Sequence, residues 1–134
     1  MAIVRHDTRA VRTSEDVVVV RRVVREWALS AGFSLVDQTK IITAASELAR
    51  NVVVYGGGGT LRLESLNDDQ RRGLRLVFED QGPGIPDIER ALKDGYTTGN
   101  GLGLGLGGAR RLSNEFEIDS RPGAGTRIAI TRWK

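Results

Sequence analysis

Apolar residues recur along this chain with two different periods, and the changes of period mark its elements. Residues 7–13, DTRAVRT, alternate weakly and predict a short edge strand. Thr13 and Asp16 then fit the capping pattern of a helix start, with Thr13 or Ser14 as the cap. Val17, Val20, Val24, Trp27, Ala28 and Ala31 follow at helical spacing, and Gly32 falls where a helix ends. The VVVV run within this segment has strand propensity, but the longer pattern is helical. Ser34 and Asp37 repeat the capping pattern and open a longer helix to about Val54. Its apolar face holds Val36, Ile41, Ala44, Ala45, Leu48 and Val52, and Gly56–Gly59 ends it.

Strict alternation then takes over in TLRLES and GLRLVFE, two strands joined by the polar segment NDDQRRG as a hairpin. Pro83 and Pro86 interrupt the pattern, and a short helix is expected from Asp87 to Lys93. Residues from about Leu104 to Asn114 read as helix again. FEIDS and TRIAITRW close the chain as a second hairpin around Pro122–Gly125. Strands that pair mostly with sequence neighbours imply a mixed, largely antiparallel sheet with helices on one face, a two-layer α+β sandwich. Neither an internal repeat nor a linker breaks the 134 residues, so residues 1–134 are expected to form one domain.

Composition removes several function classes. No apolar run approaches the ~18 residues that span a bilayer. The start, MAIVRHDTR, lacks the apolar centre of a secretory signal. Without cysteine there is neither a disulfide nor a thiolate zinc site, and a reducing cytoplasm is the expected setting. The net charge is only +3, from 20 Lys and Arg against 17 Asp and Glu. The arginines are interleaved with acids and aromatics are few, unlike a nucleic-acid reader, so neither nucleic acid nor membrane is expected as a partner.

The stretch GNGLGLGLGGARRL, Gly99 to Leu112, needs another explanation. Glycine is costly to order, and a glycine loop before a helix offers N–H groups to phosphate oxygens. A P-loop requires a Gly-Lys pair, which the chain lacks. Gly103, Gly105 and Gly108 spell the dinucleotide fingerprint, but DGYTTGNG before them is no strand, and too little chain follows to complete that fold. A eukaryote-type protein kinase would need HRD and DFG, which are also missing.

Two upstream segments narrow the choice. In ASELARN, Glu47 and Asn51 lie four residues apart and share a helix face beside apolar Ala45, Leu48 and Val52. Semi-buried polar groups want a ligand. The Asn oxygen suits Mg²⁺, and Glu47 one turn away is placed to take a proton from a hydroxyl or water; the same pair also occurs as ordinary surface side chains. In EDQGPGIP, Asp80 ends a strand and Gly82 and Gly84 follow as D-x-G-x-G. A carboxylate there can accept from the exocyclic amino group of adenine and would repel the carbonyl of guanine. A plain turn is the alternative.

E-x-x-x-N on a helix, D-x-G-x-G after a strand and G-x-G-x-G before a helix, in that order and with a closing GAGT, resemble the GHKL ATPase superfamily of gyrase, Hsp90, histidine kinases and MutL. The resemblance implies the Bergerat α/β sandwich. The length leaves no room for a phosphoacceptor or transducer domain, and His6 lacks a helical context. The chain is therefore most similar to the free-standing anti-sigma-type serine/threonine kinases, in particular the switch kinases of the stressosome. DQTKIITAASELARN, EDQGPGIPDIERALKDGYTT, GLGLGL, RLSNEFEIDS and GTRIAITRWK carry that likeness. Gly107 and Ser113–Asn114 depart from it, away from the base and metal positions.

The resemblance implies Glu47 as catalytic base, Asn51 as Mg²⁺ ligand and Asp80 as the adenine reader, with Gly82 and Gly84 beside it and Thr126 in support. Gly101, Gly103 and Gly105 would wrap the triphosphate of ATP, with Thr97 and Thr98 in a lid. No lysine occupies these motifs, so charge neutralisation falls to Mg²⁺, loop N–H groups and Arg50 or Arg110. Substrates would be serines or threonines of STAS-domain proteins, and a released kinase of this type would bind and activate a PPM-type serine phosphatase. A non-catalytic ATP-binding anti-sigma factor or co-activator is the alternative.

Overall fold

The computed structural model describes residues 1–93 and 105–134. Its elements run β1 (Ala2–Val11), α1 (Ser14–Ser30), α2 (Leu35–Val54), β2 (Gly59–Asp68), β3 (Arg71–Asp80), α3 (Ile88–Ala91), α4 (Gly105–Arg111), β4 (Glu115–Ser120) and β5 (Thr126–Trp133). The five strands form one sheet in the order β1-β2-β3-β5-β4. Every pairing between them is antiparallel, so the largely antiparallel sheet expected from the sequence contains no parallel pair among the described residues.

Alternation decides which side of the sheet is buried. Leu61 and Leu63 of β2, Leu74, Leu76 and Phe78 of β3, and Ile128 and Ile130 of β5 point to the helices. There they join Val20, Val24 and Trp27 of α1 and Ile41, Ala44, Ala45 and Leu48 of α2 in one core. The opposite face carries charges that satisfy one another. Glu64 is buried there between the guanidinium groups of Arg62 and Arg75. Burial by itself raises the Glu64 carboxyl, but hydrogen bonds from Arg62 and Arg75 outweigh it and hold the group below the usual range.

Both capping patterns form, in different ways. Thr13 accepts the Asp16 amide, while the Asp16 carboxylate accepts the amides of Arg12 and Thr13, a complete capping box. Those backbone hydrogen bonds hold the Asp16 carboxyl below its ordinary value. Ser34 accepts the Asp37 amide, but Asp37 does not return the bond. Its Oδ1 instead accepts from Arg132 Nη2 at 2.7 Å, and Arg132 Nη1 donates to the Leu112 carbonyl at 2.8 Å. Arg132 thus ties the start of α2 and the end of α4 to β5.

The bond from Arg132 holds the Asp37 carboxyl below the usual carboxylate range, against a smaller opposing effect of burial. A depressed folded-state value adds stability above the unfolded value of ~3.9 and loses it as pH falls through the folded value. Asp37→Asn should therefore cost about 1–2 kcal/mol at neutral pH. The difference should begin to shrink as the pH drops below about 4 and vanish once it lies below the folded value, read from urea unfolding midpoints across a pH series.

Three boundaries differ from the sequence reading. Strand β1 begins at Ala2 rather than near residue 7, with a register shift between Ile3 and Arg5, because β2 supplies a ladder over its whole length. Its helix-side positions before Val11 are charged: Arg5 lies 3.9 Å from the centroid of the Trp27 ring, and Arg9 pairs with Asp7. Inward-facing charges of this kind blunt an edge strand. The polar segment between β2 and β3 is mostly strand, pairing Asn67 with Arg72 and Asp68 with Arg71. The turn narrows to Asp69 and Gln70, with Asp69 at φ 53°, a conformation that Asp tolerates better than most residues. Helix α3 is a single turn between its Asp87 and Leu92 caps, and α4 is shorter than expected because Asn114 leaves the helix to accept the Trp133 amide and donate its own to the Thr131 carbonyl. No helix among the described residues is long and apolar enough to cross a membrane.

Candidate nucleotide-binding site

A cavity of about 380 Å³ opens between α2, the 83–91 segment, the start of α4 and the ends of β3 and β5. Leu48, Val52, Phe78, Ile85, Leu106 and Ile128 give it apolar walls, and Glu47, Arg50, Asn51, Asp80 and Thr126 place polar groups on it. Size and lining suit a small organic ligand held by a few directed polar contacts. An apolar slot ending in a carboxylate fits a flat heteroaromatic base that presents a hydrogen-bond donor.

Glu47 and Asn51 reach the wall from one face of α2, both half-buried. Their helix is fixed from behind by Ile41, Ala44 and Ala45, so Glu47 and Asn51 turn to the cavity beside Leu48. Arg50, one residue before Asn51, is also on the wall, whereas Arg110 is exposed and not part of it.

Asp80 enters from the end of β3, on the same face as Phe78 two residues earlier, and is buried. Its Oδ1 accepts the Gly82 amide at 2.9 Å. A carboxylate offers about four acceptor directions, so capacity remains for a ligand donor. Around it the backbone packs too closely for side chains. A Cβ on Gly56 would lie 2.5 Å from Asp80 Cγ, and one on Gly125 would lie 2.2 Å from the Asp80 carbonyl oxygen. Gly125 also has φ +82°, as Gly84 has φ +79° with the Arg121 carbonyl 2.2 Å from where its Cβ would be. Gly84 lies on the cavity wall. Gly82 packs against Gly56 and Asp80, so it serves the carboxylate rather than offering a surface to the base.

Thr126 pairs with Asp80 across β3 and β5 and lines the cavity beside it. Gly105 opens α4 at φ +48° and is on the wall as well. Thr97, Thr98, Gly101 and Gly103 lie outside the described residues. Among the described residues no group of three or more His, Cys, Asp or Glu could hold a metal alone. The Asn51 amide oxygen on the cavity wall is a hard donor of the type that a cation keeping most of its waters accepts.

Leu48 and Val52 flank Glu47 and Asn51 in the sequence pattern, but the apolar walls from β3, β5 and residues 83–91, and one hydroxyl, are not evident there. Phe78 and Ile128 alternate with outward-facing residues on strands that were already recognised, so their direction was available once the helix side was known. Tyr55 caps α2 and lines the cavity, and nothing in its local pattern separates it from a surface aromatic. Ser120 contacts Thr126 and Ile85, partners that only the folded sheet brings to it.

The fold and this cavity define an ATP-binding domain. Residues 36–134 match the family described as histidine kinase-, DNA gyrase B-, and HSP90-like ATPase, and the chain belongs to that family. Over 123 residues it is 46% identical to the serine/threonine-protein kinase RsbT of Bacillus subtilis (strain 168), covering 92% of each chain. An anti-sigma F factor of Bacillus licheniformis is 32% identical over 72% of this chain and 69% of that one. Among solved structures, the RsbU and RsbW domains of a Mycobacterium tuberculosis protein superpose with a TM-score of 0.63 at 23% identity. That match covers 97% of this chain and 32% of that longer one. The mycobacterial sensor histidine kinase MprB gives 0.54 at 19% identity, covering 96% and 97%. These two likenesses concern the fold.

Proposed function

We propose that this protein, as one catalytic domain over residues 1–134, is an ATP-dependent serine/threonine kinase of a bacterial partner-switching pathway. The observation that carries the reading is the convergence of Glu47, Asn51 and Asp80 on one cavity from two elements, α2 and β3. The 46% identity to a serine/threonine-protein kinase supports the reaction class. STAS-domain proteins are the substrates, and a PPM-type serine phosphatase is the partner bound and activated after release. The setting is the cytoplasm.

Asp80, backed by Thr126 and oriented by the Gly82 amide, accepts from the adenine amino group. The apolar walls exclude water from the base. Asn51 would hold Mg²⁺, which would supply charge neutralisation for the phosphates. By the family likeness Gly101, Gly103 and Gly105 would wrap the triphosphate, with Thr97 and Thr98 assigned to a lid. Glu47 takes the proton of the acceptor hydroxyl as its oxygen bonds to the terminal phosphorus and the bond to ADP breaks. Positioning and charge stabilisation dominate such a transfer.

The direct test is transfer of labelled γ-phosphate from ATP to a cognate STAS protein. Label should appear on serine or threonine; a chain that binds ATP with Mg²⁺ and never labels that protein would overturn the kinase reading. The likeness to anti-sigma F factors supports a second reading, an ATP-binding module that acts by partner binding alone. A stable complex with a sigma factor, formed without any STAS protein, would favour it.

Arg50 gives a further check on the phosphate end. It reaches the cavity wall from the turn of α2 that carries Glu47 and Asn51, and has neither a carboxylate nor a hydrogen-bond partner among the described residues. Arg50→Ala should weaken ATP by roughly tenfold, the worth of one charge-assisted hydrogen bond, and leave ADP affinity nearly unchanged. Titration calorimetry with the two nucleotides measures the ratio.

A further inference from the structure

Helix α2 carries two cations, and the cavity accounts for one of them. Arg50 is on the cavity wall with Glu47 and Asn51, whereas Lys40 is not among the residues that line it. Lys40 precedes Glu47 by two helical turns, so the two share a face of α2 with Thr43 between them. All three are half-buried and Val36, one turn further on, is exposed, so this face stays open to solvent. The carboxylate nearest to Lys40 along the helix, Asp37, accepts from Arg132 at 2.7 Å and feels Lys40 through charge alone. Beside α2, α1 turns Arg21, Arg22 and Arg25 to solvent against Glu15 and Glu26, the latter paired with Arg22 at 4.0 Å. The helix surface around Glu47 is therefore mainly basic.

We propose that Lys40 reads the acceptor protein, pairing with a carboxylate that this protein carries about 10 Å from the hydroxyl to be phosphorylated, an inference that rests on the kinase reading above. The order of groups along α2 gives the direction. Gly56, just past the helix end, packs against Asp80, so the base sits at that end. Asn51 comes next and Glu47 one turn further back, so the triphosphate runs from the end of α2 toward its start. In phosphoryl transfer the attacking and leaving oxygens lie roughly in line. The acceptor hydroxyl therefore reaches Glu47 from the side away from Asn51, over Thr43 and Lys40. Two turns of helix at 1.5 Å per residue separate Glu47 from Lys40 by about 10 Å. In an extended acceptor segment that span is about three residues. A surface laid over Lys40 without a carboxylate would strip water from an ammonium group and return nothing. Lys40 thus acts on which protein is phosphorylated, not on the nucleotide.

Steady-state transfer to the cognate STAS protein, with KM measured separately for that protein and for ATP, tests this. Lys40→Glu should raise the KM of the acceptor about tenfold at low ionic strength, and Lys40→Ala about threefold. The KM of ATP should not move, and both losses should shrink as salt is added. Acceptor variants in which one carboxylate near the phosphorylated hydroxyl is changed to lysine then identify the partner group. The right variant should be a poor substrate of the unaltered kinase and a restored substrate of the Lys40→Glu protein. Neither a general loss of basic surface nor a folding defect produces that exchange. An acceptor KM unchanged in Lys40→Glu, or a loss that no single reversal restores, would overturn the proposal. Failure of the unaltered chain to label the STAS protein would instead overturn the kinase reading beneath it.

Discussion

Replacing Glu47 by glutamine is expected to slow phosphoryl transfer by about 10²–10⁴-fold, the usual contribution of a positioned general base. Glutamine keeps the length and shape of the side chain, so the wall formed by Glu47, Arg50 and Asn51 stays intact. What it loses is the ability to take the acceptor proton. ATP affinity should therefore hardly change while single-turnover transfer of labelled phosphate collapses, the pattern of a group that acts in the transition state alone. A Glu47→Gln protein that transfers at the original rate would remove Glu47 as the base and leave the reaction to positioning and charge.

The second large effect is expected at the other end of the cavity. In Asp80→Asn, the amide oxygen can still accept the Gly82 N–H that Oδ1 accepts at 2.9 Å. That choice turns the new NH₂ toward the base, where a donor meets the donor of adenine. The loss of a hydrogen bond to a charged acceptor, about 1.5–3 kcal/mol, corresponds to roughly 10–150-fold in ATP affinity. The same NH₂ suits the carbonyl of guanine, so discrimination against GTP should shrink together with the ATP loss. Competition of both nucleotides for a fluorescent analogue measures the two effects. Unaltered ATP affinity in a folded Asp80→Asn protein would show that Asp80 does not read the base.

Local chemistry made much of the fold legible in advance. The VVVV run is helical because the Thr13–Asp16 box fixes the start and the apolar spacing of Val20, Val24 and Trp27 fixes the face. TRIAITRW is strand over its full length, since strict alternation and β-branched residues agree there. What escaped depends on distant partners. Residues 2–6 carry no alternation of their own and are strand because β2 extends beside them. Asp37 looks like half of a capping box and is in fact the partner of Arg132, ninety-five positions away. The candidate site divides in the same way. Glu47 with Asn51, and Asp80 with its glycines, announce themselves by spacing. The apolar walls and Ser120 do not, because their role is set by which strands become neighbours.

The crowding around Asp80 limits how this pocket can change. A methyl on Gly56 would be 2.5 Å from the carboxylate carbon and one on Gly125 would be 2.2 Å from the Asp80 carbonyl oxygen, so neither position can vary while the strand end stays where it is. Retargeting the cavity to another nucleobase therefore requires coordinated replacements, with the backbone at Gly56 and Gly125 moving first. A library randomised at either glycine alone should return glycine from a selection for ATP binding. Diversity should instead collect at wall positions such as the exposed Tyr55 and the half-buried Ile85, where a new side chain meets the ligand before it meets the protein.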